Sequence, residues 1–318
     1  MGAGLPSVAA IGEVMIEFSP AGADASSPDY RLGFAGDTFN TAVGLSRLGV
    51  ATSYVTLLGD DPLSDRILEL MRVEGVGEAL VHRVAGRQPG LYVIANTPDG
   101  ERTFRYWRTE SPARELWAND QLAQRVEDRL GGFTHIYLSG ITLAIMGSPA
   151  RIRLRDFLQD YRLRGGCVVF DTNYRARLWP DVDGAQQVID EFLGISDLAL
   201  LTLEDERALW DTASAERILE LHLRKGVREL VIKQGPEPVM IYEGGRITQV
   251  GVPGVRGIVD TTGAGDAFNA GYLAHRLRGD TAEQAAAWGN RAAGAVIRER
   301  GGIVPRAYFF EAMGIMGR

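Results

Sequence analysis

The chain has 318 residues, 45% hydrophobic and 24% charged, and its 34 basic against 41 acidic side chains give a formal net charge of -7. A chain of this size buries about three quarters of its unfolded surface, and the composition excludes disorder, collagen and coiled coil. The acidity repels nucleic acid and anionic lipid, so neither nucleic acid nor a membrane is an expected partner, and a bound anion needs a local focus of positive charge.

Along the chain, residues 8–12 form a short apolar run ending in glycine, the mark of a buried strand. No cationic leader precedes it, Glu13 and Glu17 interrupt the next apolar residues, and the stretch is too short to span a bilayer, so a cytoplasmic protein without a targeting segment is expected. Residues 14–34 read as paired extended segments. A strand at 54–58 comes next, then a helix that Asp61-Pro62 opens and Gly75 closes. Residues 90–108 look like a hairpin: Leu91-Tyr92-Val93-Ile94, a turn at Thr97-Pro98-Asp99-Gly100, then Thr103-Phe104-Arg105-Tyr106-Trp107. Further buried strands are read at 135–139, 167–171, 198–201 and 229–233, with a helix that Ser148-Pro149 opens and that stops near Gly165-Gly166. Strand alternating with helix implies a mainly parallel sheet covered on both faces. No repeat and no linker divides the chain, so residues 1–318 are expected to form one α/β domain from which about 14–34 and 90–108 project as a small β lid.

Cys167, the sole cysteine, lies in the apolar run Cys167-Val168-Val169-Phe170 and reads as a buried small hydrophobe in a reducing compartment. His82, His135, His222 and His275 show no ligand spacing, and structural roles are expected of them. Only Lys225 and Lys233 are lysines, so arginine is the default cation.

The strongest local signal is Asp260-Thr261-Thr262-Gly263-Ala264-Gly265-Asp266-Ala267-Phe268, followed by a helix-like run at 269–277. Glycines before a helix let the backbone approach a ligand closely. The free N–H groups at the helix start, with the positive end of its dipole, suit a phosphate or the charge that develops in phosphoryl transfer. Asp266 stands in the first turn, either as a carboxylate complementing that dipole or as a general base. A Walker A loop is absent, and Ile11-Gly12-Glu13-Val14 does not continue into a dinucleotide fingerprint, which weakens a dehydrogenase reading. The protein-kinase motifs are missing as well, so a nucleotide has to be held by another glycine-rich device late in the sheet.

Asp260 to Phe268 resembles the C-terminal signature of the ribokinase-like (PfkB) carbohydrate kinases, and Phe34-Ala35-Gly36-Asp37-Thr38-Phe39-Asn40 resembles their N-terminal glycine signature. Within that family the chain is most similar to the bacterial 2-keto-3-deoxygluconate kinases. The blocks that carry this are Ile11-Gly12-Glu13-Val14-Met15-Ile16-Glu17, Pro89-Gly90-Leu91-Tyr92, residues 100–108, Tyr137-Leu138-Ser139-Gly140-Ile141, and Phe170-Asp171-Thr172-Asn173-Tyr174-Arg175-Ala176-Arg177-Leu178-Trp179. The similarity runs from about Ala9 to Arg306.

The resemblance implies a three-layer α/β/α core with a β-sheet lid and MgATP-dependent phosphorylation of 2-keto-3-deoxy-D-gluconate at O6. It implies Asp266 as the base, with the amides of Gly263, Ala264 and Gly265 as an anion hole. Gly36 and Asn40 would meet sugar hydroxyls, with Tyr92, Tyr106 and Arg108 from the lid and Arg175 after Asp171; Thr202, Lys233, Gly235 and Asn290 would meet ATP. Two positions depart from the family: its Gly-Gly is Ala35-Gly36 here, and its Asn-x-x-Glu, associated with magnesium, reads Thr202-Leu203-Glu204-Asp205. Taken alone, the two tyrosines read more readily as cross-strand packing and the two arginines as surface cations, while Lys233 is equally a snorkelling strand end. Alternatives are the same fold acting on fructose, ribose, a nucleoside or the galacto keto acid, or a non-catalytic ligand-sensing module. The lid arginine speaks against a neutral substrate, and Asp266 against a silent module. Exposed lid edges lead to the expectation of a homodimer or higher homo-oligomer through the lid.

Overall fold

A computed structural model describes residues 5–21, 29–96, 102–212 and 214–315. In chain order the elements are β1 (Ser7–Ile11), β2 (Met15–Pro20), β3 (Tyr30–Ala35), α1 (Asp37–Arg47), β4 (Ala51–Gly59), α2 (Pro62–Glu74), β5 (Gly77–Val84), β6 (Leu91–Asn96) and β7 (Arg102–Trp107). Then come α3 (Asp120–Leu130), β8 (His135–Ser139), α4 (Gly140–Ile145), α5 (Ser148–Leu163), β9 (Cys167–Asp171), α6 (Val182–Leu193), β10 (Leu198–Thr202), α7 (Leu203–Trp210) and α8 (Ala215–Leu223). The chain closes with β11 (Glu229–Gln234), β12 (Glu237–Glu243), β13 (Arg246–Val250), α9 (Ala264–Arg276), α10 (Ala282–Val296) and α11 (Arg306–Met313).

Nine strands form the large sheet in the order β13-β12-β11-β10-β9-β8-β1-β4-β5. The pairs from β11 to β5 are parallel, and β12 and β13 add an antiparallel hairpin at one edge. Alternate residues of each strand feed opposite faces. Ile11, Leu138, Phe170 and Leu201 join the cluster under α3, α5, α6 and α8, while Ala10, Tyr137, Val169 and Leu200 join the one under α1, α2, α9 and α10. Both faces are therefore covered, which is why these strands read as unbroken apolar runs. The strand order reverses where β8 lies beside β1, and a parallel sheet opens a crevice at the carboxyl ends of its strands at such a point.

The helix ends are set by local chemistry. The Asp61 carboxylate accepts the N–H groups of Leu63 and Ser64, Pro62 fills a first-turn position that needs no donor, and Gly75 terminates α2 in the left-handed region with φ 71°. Strands β5, β12 and β13 were not anticipated from sequence. Cys167 is partly rather than fully buried, and burial, followed by Asp197, pushes its thiol up to about 12. No described helix is long and apolar enough to cross a membrane.

The second sheet runs β3-β2-β6-β7, with β2 and β6 parallel and the outer pairs antiparallel. Met15, Ala35, Tyr92 and Ile94 form its small core, with Phe104 and Tyr106 packed against them. The expected extended segments at 14–34 and 90–108 thus meet in one sheet, although the turn expected at 97–100 lies outside the described residues.

Candidate active site

The crevice is floored by the start of α9. Gly263 caps that helix with φ 74°, and a Cβ there would stand 2.6 Å from Gly302 Cα, so the position requires glycine on both counts. The Asp260 carboxylate accepts from the N–H of Thr262 at 2.9 Å and of Gly301 at 2.7 Å, holding the glycine loop against the 301–302 turn. The Ala264 N–H donates to the Thr261 carbonyl at 3.2 Å, so one of the three amides expected in the anion hole is already engaged. Gly265 is more open: among the described residues only Lys233 Nζ approaches a built Cβ, at 3.7 Å.

Asp266 comes next, in the first turn. Its Oδ2 accepts from Asn40 Nδ2 at 2.8 Å, and Asn40 Oδ1 accepts the Gly36 N–H at 3.4 Å, so α1 and its N-cap hold this carboxylate. Burial, then the Asp37 and Asp171 charges, push Asp266 up to about 8 against the pull of Asn40 and Lys233. A carboxylate that only complemented a helix dipole would be solvated and acidic. This one is poised to exchange a proton near neutral pH.

Around it lies a charged floor. Asp37, also raised by burial, accepts from Asn173 Nδ2 at 2.9 Å. Asp171 Oδ2 accepts from Asn269 Nδ2 at 2.8 Å, while its buried Oδ1 has no hydrogen-bond partner among the described residues and faces Lys233 Nζ at 3.8 Å. Lys233 also donates to Asn269 Oδ1 at 2.8 Å. It is buried, not snorkelling.

The four-stranded sheet contributes further side chains. The Tyr92 hydroxyl donates to Glu17, and its ring stacks on that of Tyr106 with centroids 5.5 Å apart. Arg108 is buried against Glu13, and among the described residues each keeps one buried polar atom without a partner, Arg108 Nε and Glu13 Oε1. Arg175 pairs with Asp205 at 2.7 Å and donates to the Tyr174 carbonyl. Towards the sheet edge, Thr202 ends β10 level with Lys233 of β11, and Gly235 lies just beyond at φ 61° with no described atom within 4 Å of a built Cβ. Asn290 stands apart from these strand ends, donating from α10 to the Gly251 carbonyl at 3.2 Å.

The structure thus brings Asp266, Asn40, Gly36, Gly263, Gly265 and Lys233 together, with Tyr92, Tyr106 and Arg108 on the small sheet, Arg175 on the loop after β9, and Thr202 and Gly235 at the ends of β10 and β11. Sequence reasoning gave no role to Asp37, Asn269, Glu13 or Glu17. The one available signal was that Glu13 and Glu17 interrupt an apolar stretch, where an acidic residue needs a partner. Among the described residues no group of three or more His, Cys, Asp or Glu gathers as a metal cage. Magnesium, however, is usually held by one or two carboxylates together with phosphates and water. The hard oxygens of Asp205 and the unpartnered Asp171 Oδ1 fit an ion that arrives with a nucleotide.

A family model described as pfkB family carbohydrate kinase matches residues 5–307. The 2-dehydro-3-deoxygluconokinase of Escherichia coli K12 is 42% identical over 307 residues, covering 94% of this chain and 97% of that one. The crystal structure of 2-dehydro-3-deoxygluconokinase from Thermotoga maritima superposes with TM-score 0.83 at 23% identity, covering 97% of this chain and 99% of that chain. A putative ribokinase II from E. coli, solved in complex with ATP and Mg2+, superposes with TM-score 0.83 at 22% identity, covering 98% and 99%.

Proposed function

The chain belongs to the pfkB family of carbohydrate kinases, and we propose that it transfers a phosphoryl group from MgATP to O6 of 2-keto-3-deoxygluconate, also called 2-dehydro-3-deoxygluconate. The observation that carries the kinase chemistry is the Asp266 carboxylate, held by Asn40 at the mouth of α9 and raised to about 8. The 42% identity along nearly the whole chain supports the substrate.

In this reading Asp266 takes the O6 proton as the O6–phosphorus bond forms and the bond from phosphorus to ADP breaks, and later returns the proton to water. The α9 amides and dipole stabilise the charge that develops on the transferred group. Lys233, held by Asn269 and facing Asp171, balances the local carboxylates and lies against the phosphate path. Gly36 and Asn40 orient the sugar beside the base, and the Tyr92–Tyr106 face closes over it and excludes water. Thr202 and Gly235 line the approach for ATP, and Asn290 would have to meet the nucleotide from α10, apart from them. Asp205 and Asp171 would hold magnesium, which supplies charge neutralisation on the phosphates.

We read residues 1–318 as one domain with the β2-β3-β6-β7 sheet as its lid, acting as a homodimer or higher homo-oligomer through lid edges. The exposed β7 edge, where Trp107 is 56% exposed, supports that assembly. The test of function is a substrate panel read by ADP release. The keto acid should exceed fructose, ribose and nucleosides in kcat/KM by roughly a hundredfold or more, and the galacto epimer measures tolerance at one hydroxyl. Preference for a neutral sugar would overturn the substrate and leave the kinase.

A further inference from the structure

Glu206 lies on α7, one residue past Asp205, and has no solvent exposure. Burying a carboxylate is costly unless its oxygens are hydrogen-bonded, and these are. Oε1 accepts from the Thr172 hydroxyl at 2.5 Å, while Oε2 accepts from Trp210 Nε1 at 3.0 Å and lies 2.8 Å from His222 Nε2. Trp210 stands one turn along the same helix and His222 on α8, so those two contacts serve the packing of the helices. The Thr172 bond is of another kind, because it leaves the helices and reaches the residue just past β9.

Thr172 is buried between Asp171 and Asn173 and is held by its backbone as well. Its N–H donates to the Leu200 carbonyl at 3.2 Å, and a Cβ on Gly140 would stand 2.0 Å from its carbonyl oxygen. Asn173 takes a left-handed φ of 29° and donates from its side chain to Asp37 at 2.9 Å. On α7, Asp205 and Glu206 are successive residues and so point about 100° apart around the helix axis. Asp205 turns to Arg175 at 2.7 Å, and Glu206 turns into the core to Thr172. One helical turn and residues 172–175 are therefore joined twice. The outer joint is open to water, with the Arg175 side chain 40% exposed, and such a pair holds little by itself. The inner joint is dry, where a hydrogen bond to a carboxylate is strong.

We infer that Glu206 is a positioning residue: through Thr172 it fixes Asp171 relative to Asp205, the two carboxylates assigned to magnesium above, and thereby sets how much the metal adds to nucleotide binding, a role that rests on that assignment. Being fully buried, Glu206 touches no ligand itself.

The experiment measures ADP binding to the full-length chain by calorimetry in Mg2+ and in EDTA, and takes the ratio of the EDTA Kd to the Mg2+ Kd. Thr172→Val keeps the side-chain shape and removes the hydroxyl. Its ratio should fall by about tenfold or more, the usual cost of removing a group that holds a metal ligand in place, with the EDTA Kd unchanged. Thr172→Ser keeps the hydroxyl and should retain most of the ratio. Thr172→Val also strands a carboxylate oxygen in the core and should melt lower. Thr172→Val combined with Glu206→Gln lacks the same bond without the stranded charge, and should show the same low ratio. A wild-type ratio in either valine protein overturns the inference. Equal losses of affinity in Mg2+ and in EDTA do so too, because they mark a loosened nucleotide site, as does a serine variant as poor as the valine one. Wild-type protein that binds ADP equally in Mg2+ and EDTA would instead sink the magnesium assignment of Asp171 and Asp205, and the role of Glu206 with it.

Discussion

Replacing Asp266 by Asn tests the base through two readouts of opposite sign. The amide keeps an oxygen to accept from Asn40 Nδ2, now at 2.8 Å, so shape and fold survive while the ionisable group is lost. Turnover should fall by about 10² to 10⁴, the usual cost of losing general acid–base catalysis. Stability should rise. Asp266 is raised from 3.8 to about 8 on folding, so the unfolded chain ionises it first and the folded protein loses stability as pH climbs from about 4 to about 8. By pH 7 this amounts to about 3 pK units, nominally ~4 kcal/mol. Solvent reaching the half-buried carboxylate through the crevice reduces it to about 2 kcal/mol. At roughly 2 °C per kcal/mol for a chain this long, Asp266→Asn should melt about 4 °C higher at pH 7. The advantage should vanish near pH 4, where both side chains are neutral. Steady-state ADP release and thermal melts across pH 4 to 8.5 measure both. Near-normal turnover, or a melting difference independent of pH, would refute the reasoning. In the wild type, kcat/KM should rise with pH up to about 8, about tenfold per unit on the acid side.

Lys233→Met removes the cation that draws Asp266 down, so the acid limb of the pH–rate profile should move to higher pH; an unmoved limb would separate Lys233 from the base. Gly263→Ala meets both a positive φ and Gly302 Cα at 2.6 Å, and should lower the melting temperature as well as turnover. Gly265→Ala meets only Lys233 Nζ at 3.7 Å, so its loss should appear in ATP kinetics with the melt unchanged. Glu13→Gln leaves the buried Arg108 charge unpaired and should cost about 3–5 kcal/mol in denaturant melts, most of it recovered when Arg108→Met is added.

The sequence was most legible where structure is decided locally. Asp61-Pro62 and Gly75 bracket α2 because caps act within a turn, and His135–Ser139 and Cys167–Asp171 are strands as read because burial on both faces leaves an unbroken apolar run. β5 escaped because an edge strand mixes Glu78, His82 and Arg83 with its apolar residues. The β12–β13 hairpin, with its glycine turn at 244–245, escaped because the expected alternation of strand and helix leaves no place for it. The candidate site divided along similar lines. Glycines and Asp266 announce themselves in one contiguous stretch. Their partners do not: Asn40 lies 226 residues from Asp266, and Glu13 lies 95 from Arg108. That Arg108 is neutralised by Glu13 and Arg175 by Asp205 is likewise a fact of pairing between distant stretches of chain.

The four-stranded sheet is woven from two separate excursions of the chain, joined by the parallel pairing of β2 with β6. Its crossings back to the core gather around Glu13. Gly36 could not carry a Cβ without meeting the Glu13 carbonyl at 2.1 Å, a Cβ on Gly90 would stand 2.8 Å from Glu13 Oε1 and 3.0 Å from Arg108 Cβ, and the Ile16 N–H is tied to the Gly90 carbonyl at 2.9 Å. The two excursions are therefore fastened to the core at one place, around Glu13. The same place reaches Asp266, since the Gly36 N–H donates to Asn40 and Asn40 holds Asp266. In the proposed reading, a sugar seated beneath this sheet and the carboxylate that would take its proton are thus held by the same few backbone contacts, so a change at Glu13 or Gly36 would be felt at both.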